Sequence, residues 1–194
     1  MRKILIIGNP GDGIMLKARE LHAALSPADE QTVFEQKLMA AGCFMPESNA
    51  LPFRAPHHTV SPMGLNGAGG EAPRPGEVSL AHGGTLFLDQ IKEFRRSSTE
   101  ALYSILEKGT SDLRFSTTGA TVRYPARPQL VIASFPKCHY FLNPFLSRPG
   151  DKCTGTQCNC SDKHKARHRE LLADLIMDFQ PDETITLEPF SAQR

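Results

Sequence analysis

The sequence predicts an α/β fold with a mostly parallel sheet, and three observations carry that reading. Short continuous apolar runs at 4–7, 85–88 and 130–133 have the pattern of strands covered on both faces. Segments with helical spacing of apolar residues separate them. A glycine-rich turn follows the first run directly and leads into a helical segment, the order of a strand–turn–helix unit.

Along the chain, Leu16, Ala18, Leu21, Ala24 and Leu25 give a helix ended by Ser26-Pro27. Residues 26–50 are weakly patterned, with a short helix expected around 35–41. Pro, Gly and His crowd 51–75, which predicts a long ordered loop; a loop of that length is uncommon unless functional. The strand at 85–88 closes on Asp89. A helix over 97–108 places Ala101, Leu102, Ile105 and Leu106 on one face, with Ser97 or Ser98 as N-cap and Gly109 as the stop. Residues 113–116 and 121–124 flank Thr117-Thr118-Gly119-Ala120, a hairpin signal. A helix over 165–179 and a last strand over 183–187 complete the pattern. Ligands in such sheets bind beyond the carboxyl ends of the strands, where both the glycine turn and Asp89 lie.

The chain has 194 residues, enough for one domain with a hydrophobic core, expected over 1–190 with a Cys-containing insertion at 136–162. The 22 Lys and Arg balance 21 Asp and Glu, so no global basic field points to nucleic acid. The apolar run after Arg2-Lys3 is cut short by Gly8 and Pro10, too early for a signal peptide. No stretch approaches the ~20 apolar residues of a membrane span. Five cysteines, an odd number, fit reduced thiols in a cytoplasm better than a disulfide framework.

Gly8-Asn9-Pro10-Gly11-Asp12-Gly13-Ile14-Met15 has the glycine spacing of a phosphate-binding loop, in which backbone N–H groups cradle phosphates at a helix N-terminus. That chemistry also needs a Lys to neutralise the β- and γ-phosphates and a Ser or Thr to hold magnesium. Ile14 and Met15 stand in those places and can do neither. Asp12 adds a negative charge. Taken alone, the spacing fits equally a glycine-rich turn of another α/β fold.

Longer blocks narrow the choice. Residues 51–61, with Phe53-Arg54-Ala55-Pro56-His57-His58, and residues 74–89, with Arg74-Pro75-Gly76-Glu77 and Phe87-Leu88-Asp89, are followed by Glu93-Phe94-Arg95, Tyr124-Pro125-Ala126-Arg127 and Gln129-Leu130-Val131. In this order and spacing they resemble the magnesium-chelatase-related, ComM-like (YifB-like) AAA+ ATPases over about residues 3–179. The resemblance implies an AAA+ core with a five-stranded parallel sheet, ATP and magnesium as ligands, and ATP hydrolysis in hexameric rings. Its relatives act as DNA branch-migration motors in natural transformation or as magnesium-chelatase subunits. It also implies that Asp89 is the magnesium-binding Walker B carboxylate.

The catalytic places depart from that family. Gln90 stands where the family has the glutamate that activates water, and an amide is a poor proton acceptor near neutral pH. Phe135 falls at the sensor asparagine and Ile176 at the arginine that reaches a neighbour's phosphate. The family's N-terminal Lon-like domain, the residues that wall the adenine pocket and the helical lid have no counterpart in the chain. The resemblance thus implies an eroded, truncated module: a non-hydrolysing binding or regulatory partner, joining a ring of intact relatives. The alternatives are a residual ATP-binding module, through Gly11, Gly13, Asp89 and magnesium, or a non-functional remnant.

Two clusters stay open. Cys138, Cys153, Cys158 and Cys160 could bind zinc, since ComM-like relatives carry two cysteine pairs there, or could be free thiols. Lys163, His164, Lys165, Arg167, His168 and Arg169 could contact DNA phosphates, as the family implies, or form a solvated helix face. His57 and His58 lie in a loop that lines the pore or the subunit interface in relatives.

Overall fold

The computed structural model describes residues 1–8, 13–42, 50–134, 153–154, 157–158 and 161–187. Strand β1 (Lys3–Ile7) is followed in the chain by α1 (Ile14–Ala23) and α2 (Glu30–Gly42), which Asp29 caps by accepting from the Thr32 N–H at 2.7 Å. Then come β2 (Phe53–Arg54), α3 (Pro62–Asn66), α4 (Glu77–Leu80), β3 (Thr85–Leu88), a 3₁₀ turn (Ile91–Glu93) and α5 (Arg96–Lys108). The hairpin β4 (Thr110–Arg114) and β5 (Thr121–Pro125) precedes β6 (Gln129–Ser134). A short antiparallel pair, β7 (Cys153–Thr154) and β8 (Gln157–Cys158), then α6 (Asp162–Phe179) and β9 (Glu183–Thr186) follow.

Five strands form one parallel sheet in the order β2-β3-β6-β1-β9, as the sequence reading expects. Alternation along each strand divides the core. Leu5, Leu86, Leu88, Leu130 and Ile132 pack on one face with Leu65 of α3, Val78 of α4, Leu102 and Leu106 of α5, and Leu175 and Phe179 of α6. Ile4, Ile6, Phe87, Val131 and Ala133 pack on the other with Ile14 and Ala18 of α1. Residues that look equivalent in an apolar run thus serve opposite layers. On the α1 side, His22 Nδ1 lies 3.0 Å from Thr85 Oγ1, and the Arg19 guanidinium sits 4.9 Å from the centre of the Phe53 ring.

Several expectations are corrected. The loop expected over 51–75 contains a strand and a helix. Phe53 and Arg54 add an edge to the sheet beside Thr85 and Leu86, and Ser61 caps α3 by accepting from the Gly64 N–H at 3.0 Å, with Pro62 at the first helical position. Neither Ser97 nor Ser98 caps α5. The helix begins at Arg96, Arg95 is its N-cap, and Ser98 is fully buried against the core. Helix α2 runs five residues earlier than expected, and α6 starts at Asp162.

The long sequence blocks serve as joints of this fold. Arg54 donates through Nε and Nη2 to Glu77 at 2.6 and 2.7 Å, tying the edge strand to the start of α4. Gly84 admits no side chain: a Cβ there would lie 1.9 Å from the Pro52 carbonyl oxygen. His82 is buried; its Nδ1 accepts from the Arg127 N–H at 3.3 Å, so its Nε2 carries the proton and donates to Glu35 at 2.8 Å. Arg127 Nη2 and Gln31 Nε2 also donate to Glu35, at 2.7 and 2.8 Å. One carboxylate therefore clamps α2 to the segments entering β3 and β6.

Candidate functional site

Parallel pairing of β3 with β6, and of β6 with β1, brings the carboxyl ends of all three strands to one edge of the sheet. Asp89 follows β3 there, and Gly8 follows β1, its N–H bonded to the Ser134 carbonyl at 3.2 Å. Between Asp89, the first turn of α1 and the segment after β2 lies a cleft of about 260 Å³. Its walls are Met15, Ala55, Pro56, His57, His58, Phe87, Asp89 and Gln90.

The structure thus brings Met15, Asp89 and Gln90 together, as the sequence reading expects of adjacent parts of one site. It adds Ala55 and Pro56, which the sequence singles out only within a block, and His57 and His58, which the resemblance placed in a pore or interface loop. The rings of His57 and His58 lie 4.0 Å apart between centres, and His57 Nδ1 is 2.9 Å from Thr59 Oγ1. A buried strand hands its chain to a turn at Asp89, so the carboxylate reaches solvent while protein surrounds its base. That surrounding density pushes its pKa above the ordinary carboxylate range, and the Gln90 N–H and the charge of His58 partly offset the shift. Gln90 adopts a left-handed backbone (φ 52) as N-cap of the 3₁₀ turn, a conformation costly for a residue with a Cβ.

Ile14 and Met15 behave differently from each other. Gly13 (φ 79) turns the chain into α1 and leaves that helix without a side-chain cap. Ile14 then points inward, 9% exposed, among Ile4, Ile6 and Phe87. It presses on the end of β1, since a Cβ on Gly8 would meet Ile14 Cγ1 at 3.2 Å. Met15 does not pack inward with it; it is 41% exposed and lines the cleft. Successive helical residues point about 100° apart, so only one of the two can face the sheet.

Ile176 is not part of this cleft. It lies on α6, 37% exposed, and its neighbours Leu175 and Met177 line a separate groove of about 740 Å³ with Lys92, Glu100, Tyr103 and Asp178. Burial pushes the Tyr103 hydroxyl up to about 12, with the Asp178 charge adding to the effect. Gly11, Asp12, Phe135, Cys138 and Cys160 lie outside the described residues. Cys153 and Cys158 stand opposite each other in the β7–β8 ladder. Among the described residues, no group of three His, Cys, Asp or Glu is arranged to hold a metal. The basic run 163–169 falls in the first two turns of α6. No helix among the described residues is long and apolar enough to cross a membrane.

The sequence reading missed Glu35 and His82. A Glu in a weakly patterned helix carries no signal by itself; the His82-Gly83-Gly84 run before a buried strand was the available hint.

Comparisons with known proteins bear on this site. The family model for magnesium chelatase, subunit ChlI, matches residues 1–187. The uncharacterized protein YifB of Escherichia coli K12 is 34% identical over 179 residues, covering 90% of this chain and 33% of that protein. The competence protein ComM of Haemophilus influenzae is also 34% identical over 179 residues, covering 90% and 32%. The chain therefore spans about a third of the length of these curated relatives. Among solved structures, NtrX from Brucella abortus in complex with ATP superposes with a TM-score of 0.56 at 16% identity, covering 96% of this chain and 33% of that one. Its ADP complex gives 0.54 at 17% identity, covering 96% and 32%. These two likenesses concern the fold.

Proposed function

Because the chain belongs to the magnesium chelatase ChlI family, and with its ComM-like relatives has an AAA+ core, we propose that it is an AAA+ module that neither binds ATP tightly nor hydrolyses it. The observation that carries this reading is the burial of Ile14. At the place where the phosphate-binding lysine is expected, the side chain is committed to the core and cannot reach a ligand. Met15 leaves the magnesium-binding hydroxyl missing, and Gln90 leaves attacking water without a carboxylate base. Such a base contributes ~10²–10⁴-fold where it operates. The losses fall on separate parts of the chemistry, so no single remaining group replaces them. In this reading the module acts as a binding or regulatory partner, in a ring with intact relatives, and DNA contact through residues 163–169 is a further possibility of the family.

A second reading has its own observation. Gly13 leads into α1 with no side-chain cap on the helix, and Asp89 lines an open cleft, so weak Mg-ATP binding without turnover is compatible with the described residues. Calorimetric titration with Mg-ATP separates the two. No saturable heat is expected, and saturable binding that Asp89→Ala abolishes would establish the second reading instead.

A further inference from the structure

Helix α2 is attached to the sheet by its polar side chains. Phe34 and Leu38, one turn apart, point outward and are each 57% exposed, while Met39 is the one buried residue of the helix. So little apolar burial leaves the attachment to hydrogen bonds, and these converge on the segment before β3. Gln36 Nε2 donates to the His82 carbonyl at 2.7 Å. The Glu35 carboxylate accepts from His82 Nε2 at 2.8 Å and from Arg127 Nη2 at 2.7 Å. Thr32 and Gln36 lie directly over Gly83, where a Cβ would come within 2.4 Å of Thr32 Cγ2 and 2.8 Å of Gln36 Nε2. A helix of 13 residues is marginal in water by itself, so α2 owes its order to these few bonds.

His82, 1% exposed, is the pivot. Only the neutral ring fits both of its neighbours, because Nδ1 accepts from the Arg127 N–H while Nε2 donates to Glu35. A second proton would set Nδ1–H against that backbone N–H. The charged groups facing the ring are Glu35 of α2, Asp29 at its start and Arg127 before β6. The two carboxylates favour an imidazolium, the guanidinium already bound to Glu35 opposes it, and burial outweighs them all. Lifting α2 away would give the ring water and remove that burial.

We infer that α2 is an acid-released latch: as His82 takes a proton from solvent, α2 leaves the sheet as a unit while the parallel sheet and α5 stay folded. The latch lies outside the cleft and does not depend on the reading of the nucleotide site. The closed form is fully favoured above about pH 6.5, and the open fraction rises by at most about tenfold per pH unit below it. Glu35 and Asp29 are both held low in the closed form, so their release adds to opening only in the carboxylate range.

Native-state hydrogen exchange on the whole chain tests the latch, read amide by amide over 30–42 and 96–108 between about pH 7 and 5, with and without low urea. The α2 amides are expected to exchange through an opening of smaller free energy than that of α5, nearly independent of urea. After correction for intrinsic exchange, that opening should grow by up to about tenfold per pH unit below about pH 6.5. His82→Gln should make it independent of pH in this range. Glu35→Gln, which keeps the imidazole, should raise α2 opening roughly tenfold at neutral pH and retain the pH dependence. Exchange of α2 with the free energy and urea dependence of α5 would overturn the inference, since the helix would then open only with the whole fold. So would α2 opening that is flat with pH in the parent or in Glu35→Gln, or a rise that persists in His82→Gln.

Discussion

At the residue scale, the two side chains that follow Gly13 divide the work between core and site. Burying Ile14 is worth about 1.5–3 kcal/mol by transfer, and a lysine in its place would have to strand an ammonium beside Ile6 and Phe87 or drag its stem outward. Ile14→Lys is therefore expected to lose about 1.5–3 kcal/mol of stability in urea unfolding without nucleotide, while Met15→Lys stays within about 0.5 kcal/mol of the parent. Equal stability of Ile14→Lys and the parent would mean that the phosphate position is still open. The glycine spacing and the place of Asp89 were legible in the sequence because both follow from chain order at strand ends. The opposite fates of Ile14 and Met15 were not, because two adjacent apolar residues look alike until the rotation of the helix assigns one to the sheet.

Elements show how charge and pH enter the fold. Burial lowers the pKa of His82, so the folded chain holds it neutral while the unfolded chain protonates near the ordinary imidazole value of about 6.5. Its contribution is complete above that value and declines as the pH falls toward and through the depressed folded value, with a slope of at most about 1.4 kcal/mol per pH unit for one proton. Glu35, held low chiefly by the Gln31 amide, adds a second decline in the carboxylate range. His82→Gln keeps a donor toward Glu35 but loses the acceptor for Arg127. It is expected to cost about 1–2 kcal/mol at neutral pH and to flatten the stability profile between about pH 7 and 5. The flattening is incomplete, because His22 is also lowered by burial. An unaltered profile would remove His82 from the account.

Apart from Asp162 in its first turn, helix α6 carries its charges against its own dipole, with Lys163 and Arg169 in the first two turns and Asp174 and Asp178 toward the other end. Lys163→Glu should therefore stabilise the chain by about 0.3–1 kcal/mol at low salt, and the gain should shrink as salt is added. A loss of stability instead would show that Lys163 has a favourable local partner. Element boundaries were the least legible level in the sequence. The Ser61-Pro62 start of α3 was a readable signal hidden by the surrounding Pro and Gly. The two-residue strand Phe53–Arg54 has no periodicity to detect and exists through pairing with β3 and the Arg54–Glu77 bridge.

For the whole molecule, the parallel sheet followed from buried apolar runs alternating with helical spacing, and its five strands from the family resemblance; the order of the strands was not legible in either. What no local pattern could give is the joint between distant blocks: Glu35 holding His82 and Arg127 is a property of three segments that meet only in the fold. Those joints hold the AAA+ frame without drawing on the residues that line the cleft, so the proposed loss of hydrolysis is compatible with an intact frame. Restoring one group should then fail to restore the reaction. Ile14→Lys is expected to gain at most weak nucleotide binding, because Met15 and Gln90 still leave the metal and the water unsupported.

The most direct test of the central claim is Mg-ATP turnover by the purified chain, measured across magnesium concentrations beside Asp89→Ala. The account predicts phosphate release indistinguishable from buffer for both proteins. Magnesium-dependent turnover by the parent chain that disappears in Asp89→Ala would contradict it.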